Sequence, residues 1–558
     1  MEDSKRVLLA IVLTIGLLWA YTTFLAPPAP PPKQPEAKKE TPAATAQAPA
    51  TQAAPGVQTS QPAAPAAGQA QLAPAPAPGA VAQLVQVDTP LFTAWFSERG
   101  GTLQKMELKQ YFEKPDHQGG PYVLLDLPNT APYSLGLGLA PGLQALGNRY
   151  FKANQTELSV NQPGARQDLV FSTQINGIVI TKTYSFVADS YAFGLKVNIH
   201  NTTAGPVELT PELTLTEESA KQEDNDYAFA GVQLQNTGAL VELTTGDLED
   251  KPVESGNIPW MSMTIPYFMG AVAPLSGPDG AKRSVRGNFA NGIMSGTLVE
   301  QPVSLAPGAA KDIDFLVFYG PRDLKVLEPL GHGLAAAVDF GWFDIIAKPM
   351  LIALNFLYDF FGNYGVAIIL ITILVKILFW PLAAKSYKSM KKMQKLQPQI
   401  MKIREKYKGD KQRMNQEVMQ MYKTYKVNPM GGCLPMIVQI PVFIAFYKVL
   451  GSSIELRHAP FMLWINDLAA PDRLFPDLGI PYVGGIPVMT LLMGASMFLQ
   501  QKMTPTTGDP TQAKMMMLMP VVFTFIFINF PSGLVLYWLV NNILSIGQQF
   551  YTNKSKKA

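Results

Sequence analysis

Cysteine is all but missing from this sequence: Cys433 is the single one among 558 residues. That excludes an intramolecular disulfide and a multi-cysteine metal site. Histidine is nearly as scarce, and His117, His200, His332 and His458 stand far apart, none at metal-ligand spacing. No glycine-rich phosphate loop, HExxH or GxSxG pattern occurs in a context that would support one. Ordinary enzyme chemistry has little to stand on, so no catalytic residue, metal ligand or cofactor is expected. Net charge names no partner either, because 45 basic residues face 42 acidic ones. The information lies in where charges and apolar residues fall.

Long apolar runs are abundant, and one of them carries a charge. Residues 365–384 read GVAIILITILVKILFWPLAA, with Lys376 near the middle. About 20 helical residues at roughly 1.5 Å each span roughly 30 Å, enough to cross a bilayer. An amine at that depth costs roughly 2.5–3.5 kcal/mol on insertion scales. Two readings compete. In one, Lys376 snorkels or pairs with a carboxylate on a neighbouring helix; in the other, it projects into a wet cavity and meets an anionic ligand.

From the start, residues 1–25 hold a 19-residue apolar run (7–25) behind Lys5 and Arg6, too long for a signal-peptide core and followed by Pro27-Pro28. They read as an uncleaved transmembrane anchor. Residues 26–82 collapse to Pro, Ala, Gln and Thr, a linker that cannot bury a core. Residues 83–322 turn to period two, clearest in Tyr191, Phe193, Leu195, Val197 and Ile199, with turn signals such as Asn176-Gly177. One large antiparallel β-sandwich is expected there, with Glu217, Glu218, Glu223, Asp224 and Asp226 as a solvated acidic loop. Residues 323–363 switch to helical spacing; their greasy stripe, broken by Asp344, Lys348, Asn355 and Asp359, fits a helix lying in the membrane interface. The alternative is a helix buried under the sandwich.

A transmembrane helix at 364–384 is followed by the most basic part of the chain. Between 385 and 428, thirteen lysines and arginines oppose three acids. Met390, Met393, Leu396, Ile400 and Ile403, then Met414, Val418, Met421 and Tyr425, recur at helical steps on either side of Gly409-Asp410. Residues 385–430 thus read as a helical hairpin with an apolar seam, cytoplasmic by the positive-inside rule. Further spans are expected at 431–453, 485–503, 515–530 and 532–551. They are separated by a loop at 454–484 and a short polar loop at 504–514, and a basic tail, 552–558, ends the chain. The charge of the hairpin either sets topology alone or docks RNA or acidic lipid.

This order of elements, with VNPMGGCLP (427–435), QIPVF (439–443), FMLWINDL (461–468), QQKMTPTTGDP (500–510) and FPSGLVLYW (530–538), resembles the YidC/Oxa1/Alb3 membrane protein insertases. The external sandwich is similar to that of the Gram-negative bacterial branch and resembles a galactose-mutarotase-like fold. The resemblance implies a polytopic α-helical membrane protein with six spans, five of them forming the core, beside a large periplasmic all-β sandwich. It implies the bacterial inner membrane, both termini cytoplasmic, and insertion of nascent membrane-protein substrates into the lipid bilayer, alone or with the Sec translocon. The ribosome is an expected partner through Lys391, Lys392, Lys395, Lys408, Lys411, Lys556 and Lys557; sequence-specific nucleic acid is not. Lys376 stands where the family most often has arginine. By resemblance, Thr372, Gln439, Gln500, Tyr537, Trp538 and Asn542 line or border the same groove, with interhelical hydrogen bonding as their alternative role. A rival function, a small-solute transporter or channel with an external binding domain, would call for matching halves around a midplane site.

Cysteines introduced near Lys408 should react with an impermeant label only from the cytoplasm, and those near Glu223 only from outside. Labelling near Lys408 from outside would overturn the six-span arrangement.

Overall fold

The computed structural model describes residues 82–115, 119–144, 146–218, 229–277, 280–425, 427, 434–478, 483–503 and 510–554. The expected anchor at 1–25, nearly all of the linker, Glu223, Asp224, Asp226, Cys433, Lys556 and Lys557 lie outside them.

Alternating residues build the first half. Nine strands form one antiparallel sheet, in the order Ala239–Thr244, Gly231–Asn236, Met261–Thr264, Phe268–Pro274, Ala310–Pro321, Ala192–Asn201, Ile178–Val187, Arg166–Ile175 and Lys152–Ala153. In Ala192–Asn201 the residues Phe193, Leu195, Val197 and Ile199 are buried while Lys196 is exposed. A five-stranded sheet packs on it through Phe96, whose ring lies 4.7 Å from Tyr184 and 5.7 Å from Phe186. A third sheet, around Val207–Glu218 and Ile293–Val299, closes over Val232 and Met261 at Gly296, where a Cβ would press on the Met261 sulfur. The fully buried Lys182 donates to the carbonyls of Gly100, Gly101 and Leu135 at 3.2, 2.6 and 2.8 Å, so its ammonium has acceptors inside the core.

The second half is helical: α1 (Asp344–Phe361), α2 (Tyr364–Lys406), α3 (Lys411–Thr424), α4 (Leu434–Ser452), α5 (Val488–Met503), α6 (Pro510–Phe527) and α7 (Ser532–Lys554). Helical spacing was expected from residue 323, but the long helix begins at 344. Gly331, His332, Gly333 and Gly341 all adopt positive φ, which leaves only short turns before it. Helix α1 buries Ala347, Met350, Leu351 and Leu354, yet Ile345, Ile352, Phe356 and Phe360 are exposed on its other side, so it is apolar on two faces.

Helix α2 runs unbroken through the expected boundary at 384/385; its 43 residues are roughly 65 Å long, about twice a hydrocarbon core. The seam with α3 contains Met393, Leu396 and Ile400 on one side and Met421 and Tyr422 on the other. Tyr425, expected in that seam, is half exposed, because α3 ends at Thr424 and the chain turns before it. Among the described residues, α2 is the one helix long and apolar enough to cross a membrane by length and composition. Helices α4 and α6 hold shorter apolar stretches, and α7 is diluted by Asn541, Asn542, Ser545, Gln548 and Gln549.

Two loop residues connect these helices to their surroundings. Asp472, buried, accepts from the Met489 and Thr490 amides at the start of α5 and from the Trp464 indole at 2.6 Å. Arg457, in the loop after α4, donates to the Phe112 carbonyl at 2.9 Å. Its guanidinium lies 4.8, 5.8 and 6.0 Å from the rings of Tyr122, Phe268 and Tyr267. Three parts of the sandwich thus converge on one cation of the helical half.

Cation–π contacts of this kind contribute about 0.5–2 kcal/mol. Arg457→Ala should therefore speed proteolytic cleavage between residues 322 and 343 several-fold in the full chain. Unchanged cleavage would remove Arg457 as a joint.

Candidate functional site

The site is built from the start of α2. Asn363 caps that helix, accepting from the Val366 amide at 3.0 Å, and its own amide donates to the Phe461 carbonyl at 2.9 Å. The helix is thereby tied to the loop that carries the FMLWINDL motif. Lys376 follows thirteen residues after this cap, about 20 Å along the axis.

Lys376 is half-buried against α7. Its Nζ donates to Asn541 Oδ1 at 3.0 Å and to Ser545 Oγ at 2.5 Å. The two acceptors sit one turn apart, on one face of α7. Ser545 Oγ also donates to the Asn541 carbonyl at 2.7 Å. Among the described residues, no carboxylate forms an ion pair with Lys376. The ammonium is held by neutral groups.

The same helix carries polar residues toward its other neighbours. Asn542 donates to Ser496 Oγ on α5 at 3.0 Å, Gln548 to the Trp380 carbonyl on α2 at 3.3 Å, and Gln549 to the Met503 carbonyl at 2.9 Å. The free amide oxygens of Gln548 and Gln549 are buried without a donor, as is the Gln501 amide nitrogen without an acceptor. By contrast, the first turns of α7 are dry: Leu534, Val535, Leu536 and Tyr537 are buried, and Gly533 lies so close to Leu450 that a side chain would not fit. Helix α7 is thus apolar at its start and polar toward its end.

Of the residues expected here, Asn542 lies on this polar part and Lys376, on α2, reaches it. Gln439 on α4 donates to the Tyr537 hydroxyl at 3.3 Å, a contact among the apolar turns. Trp538 joins a ring cluster with Phe443 and Phe527, at 4.8 and 5.1 Å. Gln500 is half-buried on α5. Thr372 is buried and donates to the Ile368 carbonyl of its own helix at 2.7 Å. Asn541 and Ser545, which hold Lys376, were missed by sequence reasoning. Asn541, Ser545 and Gln548 at steps of four and three form a polar stripe in an apolar segment that could have pointed to them.

Elsewhere, Lys392 and Lys395 on α2 and Lys408 in the turn after it are exposed, and Lys391 is half-buried; Lys411 opens α3. At the hairpin turn Tyr407 lies between Lys406 and Arg413, 5.3 and 5.6 Å from its ring. On the opposite side, the Glu455 carboxyl, in the loop after α4, is pushed above the usual range by burial and by Asp323. It accepts from the Asn355 amide at 3.1 Å. Asp467 is raised likewise by burial, though the amides of His458 and Ala469 donate to it at 3.0 and 2.8 Å.

Residues 84–353 match the family described as the YidC periplasmic domain, and residues 356–558 the 60Kd inner membrane protein family. A membrane protein insertase YidC from Geotalea daltonii is 41% identical over 562 residues, covering 100% of both chains. One from Citrifermentans bemidjiense is 44% identical, covering 99% of each. Among solved structures, an active YidC insertase with its first transmembrane domain resolved matches 85% of this chain and 95% of its own. It does so at 18% identity and a TM-score of 0.37.

Proposed function

The chain belongs to the YidC family of membrane protein insertases, and we propose that it inserts its clients through a hydrophilic, cytoplasm-open groove charged by Lys376. It is an inner-membrane insertase with a β-rich periplasmic domain. The observation that carries the groove reading is the Lys376 ammonium, held by Asn541 and Ser545 with no carboxylate paired to it among the described residues. A lysine neutralised in an ion pair would have no charge to offer.

In this reading the chain spans the membrane six times with both termini cytoplasmic, and the exposed apolar face of α1 lies in the interface. Helices α2, α4, α5, α6 and α7 surround the groove. A client's short polar tail enters it without meeting bare hydrocarbon, and its acidic groups are drawn toward Lys376 while its apolar segment slides into lipid. Burial of about 20 apolar residues supplies the driving force, so no nucleotide is needed. Gln439, Tyr537 and Trp538 support the wall through contacts between helices, Thr372 is buried on the wall with its hydroxyl bonded within its own helix, and Asn542 and Gln500 border the polar part. The basic arm from Lys391 to Lys411, with Lys556 and Lys557, docks the ribosome, and the Sec translocon is a working partner for larger clients. A transporter is disfavoured by the continuity of α2 through Lys376, where a midplane solute site calls for broken helices.

Water in the groove keeps the pull on an acidic tail modest, of order 1–4 kcal/mol at about 4 Å for dielectric values from roughly 80 down to 20. Lys376→Arg should therefore insert normally and Lys376→Glu should fail. Lys376→Ala should lose clients in proportion to the acidity of their tails, as read client by client in proteoliposomes beside a melting curve. Uniform loss with a lowered melting temperature would assign Lys376 to structure instead.

Docking through phosphate neutralisation weakens steeply with salt. Reversal of Lys391, Lys392, Lys395, Lys556 and Lys557 to glutamate should lower ribosome co-sedimentation and flatten its salt dependence. Unchanged co-sedimentation would leave the charge as a topology signal.

A further inference from the structure

We propose that Asn541 and Ser545 set the charge selectivity of the insertase by holding the Lys376 ammonium in a neutral two-acceptor cradle. The proposal rests on the groove reading above and names two residues that decide how the groove treats client charge.

An ammonium has three N–H donors and no acceptor. Two of the three are engaged here, by Asn541 Oδ1 at 3.0 Å and Ser545 Oγ at 2.5 Å. The third is left for a ligand, and because both partners are neutral the full positive charge remains. The Ser545 hydroxyl is itself held in place, donating to the Asn541 carbonyl at 2.7 Å while its oxygen accepts from Lys376. It cannot turn away to another partner without breaking that set. Asn541 and Ser545 are 9% and 3% exposed, so the cradle is part of the α2–α7 contact rather than a chance surface arrangement. A long, flexible lysine would otherwise extend toward the nearest water. The cradle stops it at one turn of α7, where a carboxylate on an arriving tail meets it. Replacing either acceptor by a carboxylate would convert the site into an ion pair, and the client's acid would have to compete with it.

The test uses the full chain in proteoliposomes and one single-span client made in two forms, with acidic residues in its translocated tail or with the matching amides. Asn541→Asp changes the charge of the cradle and almost nothing of its size. Insertion of the acidic form should fall about tenfold, as expected for loss of a modest Coulomb attraction. Insertion of the amide form should fall far less, so that the ratio of acidic to amide insertion drops. Ser545→Ala removes one acceptor without adding charge and should lower the acidic form about two- to threefold, the loss of a single neutral hydrogen bond to a charged group being partly made up by water. A melting curve for each variant separates these effects from unfolding. Equal loss of both client forms, or no loss of the acidic one, at an unchanged melting temperature would overturn the cradle. Lys376→Ala is measured in parallel. If it too ignores client charge, the groove reading fails; if it discriminates and Asn541→Asp does not, only the cradle fails.

Discussion

Everything in the helical half must accommodate one amine that cannot be left bare in an apolar surrounding. Removing a charge from water is expensive unless hydrogen bonds replace the lost hydration. Here the replacement comes from a single helix, α7, whose polar residues follow one another at helical steps after four dry positions. That division explains several other features. The first turns of α7 pack closely on α4 through Tyr537, Phe446 and Gly533, which fixes the helix at one end. The later turns then present amides and hydroxyls to α2 on one side and to α5 on the other. The Gln548 and Gln549 amide oxygens lie there buried without a donor.

The balance also distinguishes a functional charge from a structural one. A buried ion pair contributes little net stability and leaves no charge available. Two neutral acceptors leave the charge intact at a smaller desolvation cost than full burial would carry. Lysine suits this arrangement because its compact ammonium takes three separate acceptors, whereas the planar fork of arginine favours a bidentate carboxylate.

Much of this was legible in the sequence, for reasons that can be stated residue by residue. Lys376 stood out because nothing around it in the chain is polar, and the strand at Ala192–Asn201 because its alternation repeats without a break. The seam of the basic hairpin followed from three- and four-residue steps through Met393, Leu396, Ile400 and Met421, but Met390 and Met414 lie beside it rather than in it, and Tyr425 is turned outward by a helix end. The partners of Lys376 were harder to find, since they lie more than 160 residues away and contact depends on how α7 is rotated. Periodicity gives a stripe on a helix but not which neighbour the stripe will face. The start of α1 was misjudged for a different reason, because apolar residues at suitable spacing did not outweigh glycines at positive φ.

The contact of Arg457 with the sandwich has a mechanical consequence. A domain joined to its neighbour by chain alone can swivel about that connection. Here, among the described residues, the β-sandwich is attached through the polypeptide between Pro321 and Asp344 and again through the guanidinium lodged among Phe112, Tyr122, Tyr267 and Phe268. Two separate mounting points remove a rotational freedom that one would leave. Any molecule that grips the sandwich from outside therefore takes hold of the helices at a fixed bearing, and a pull applied there arrives at the loop directly after α4.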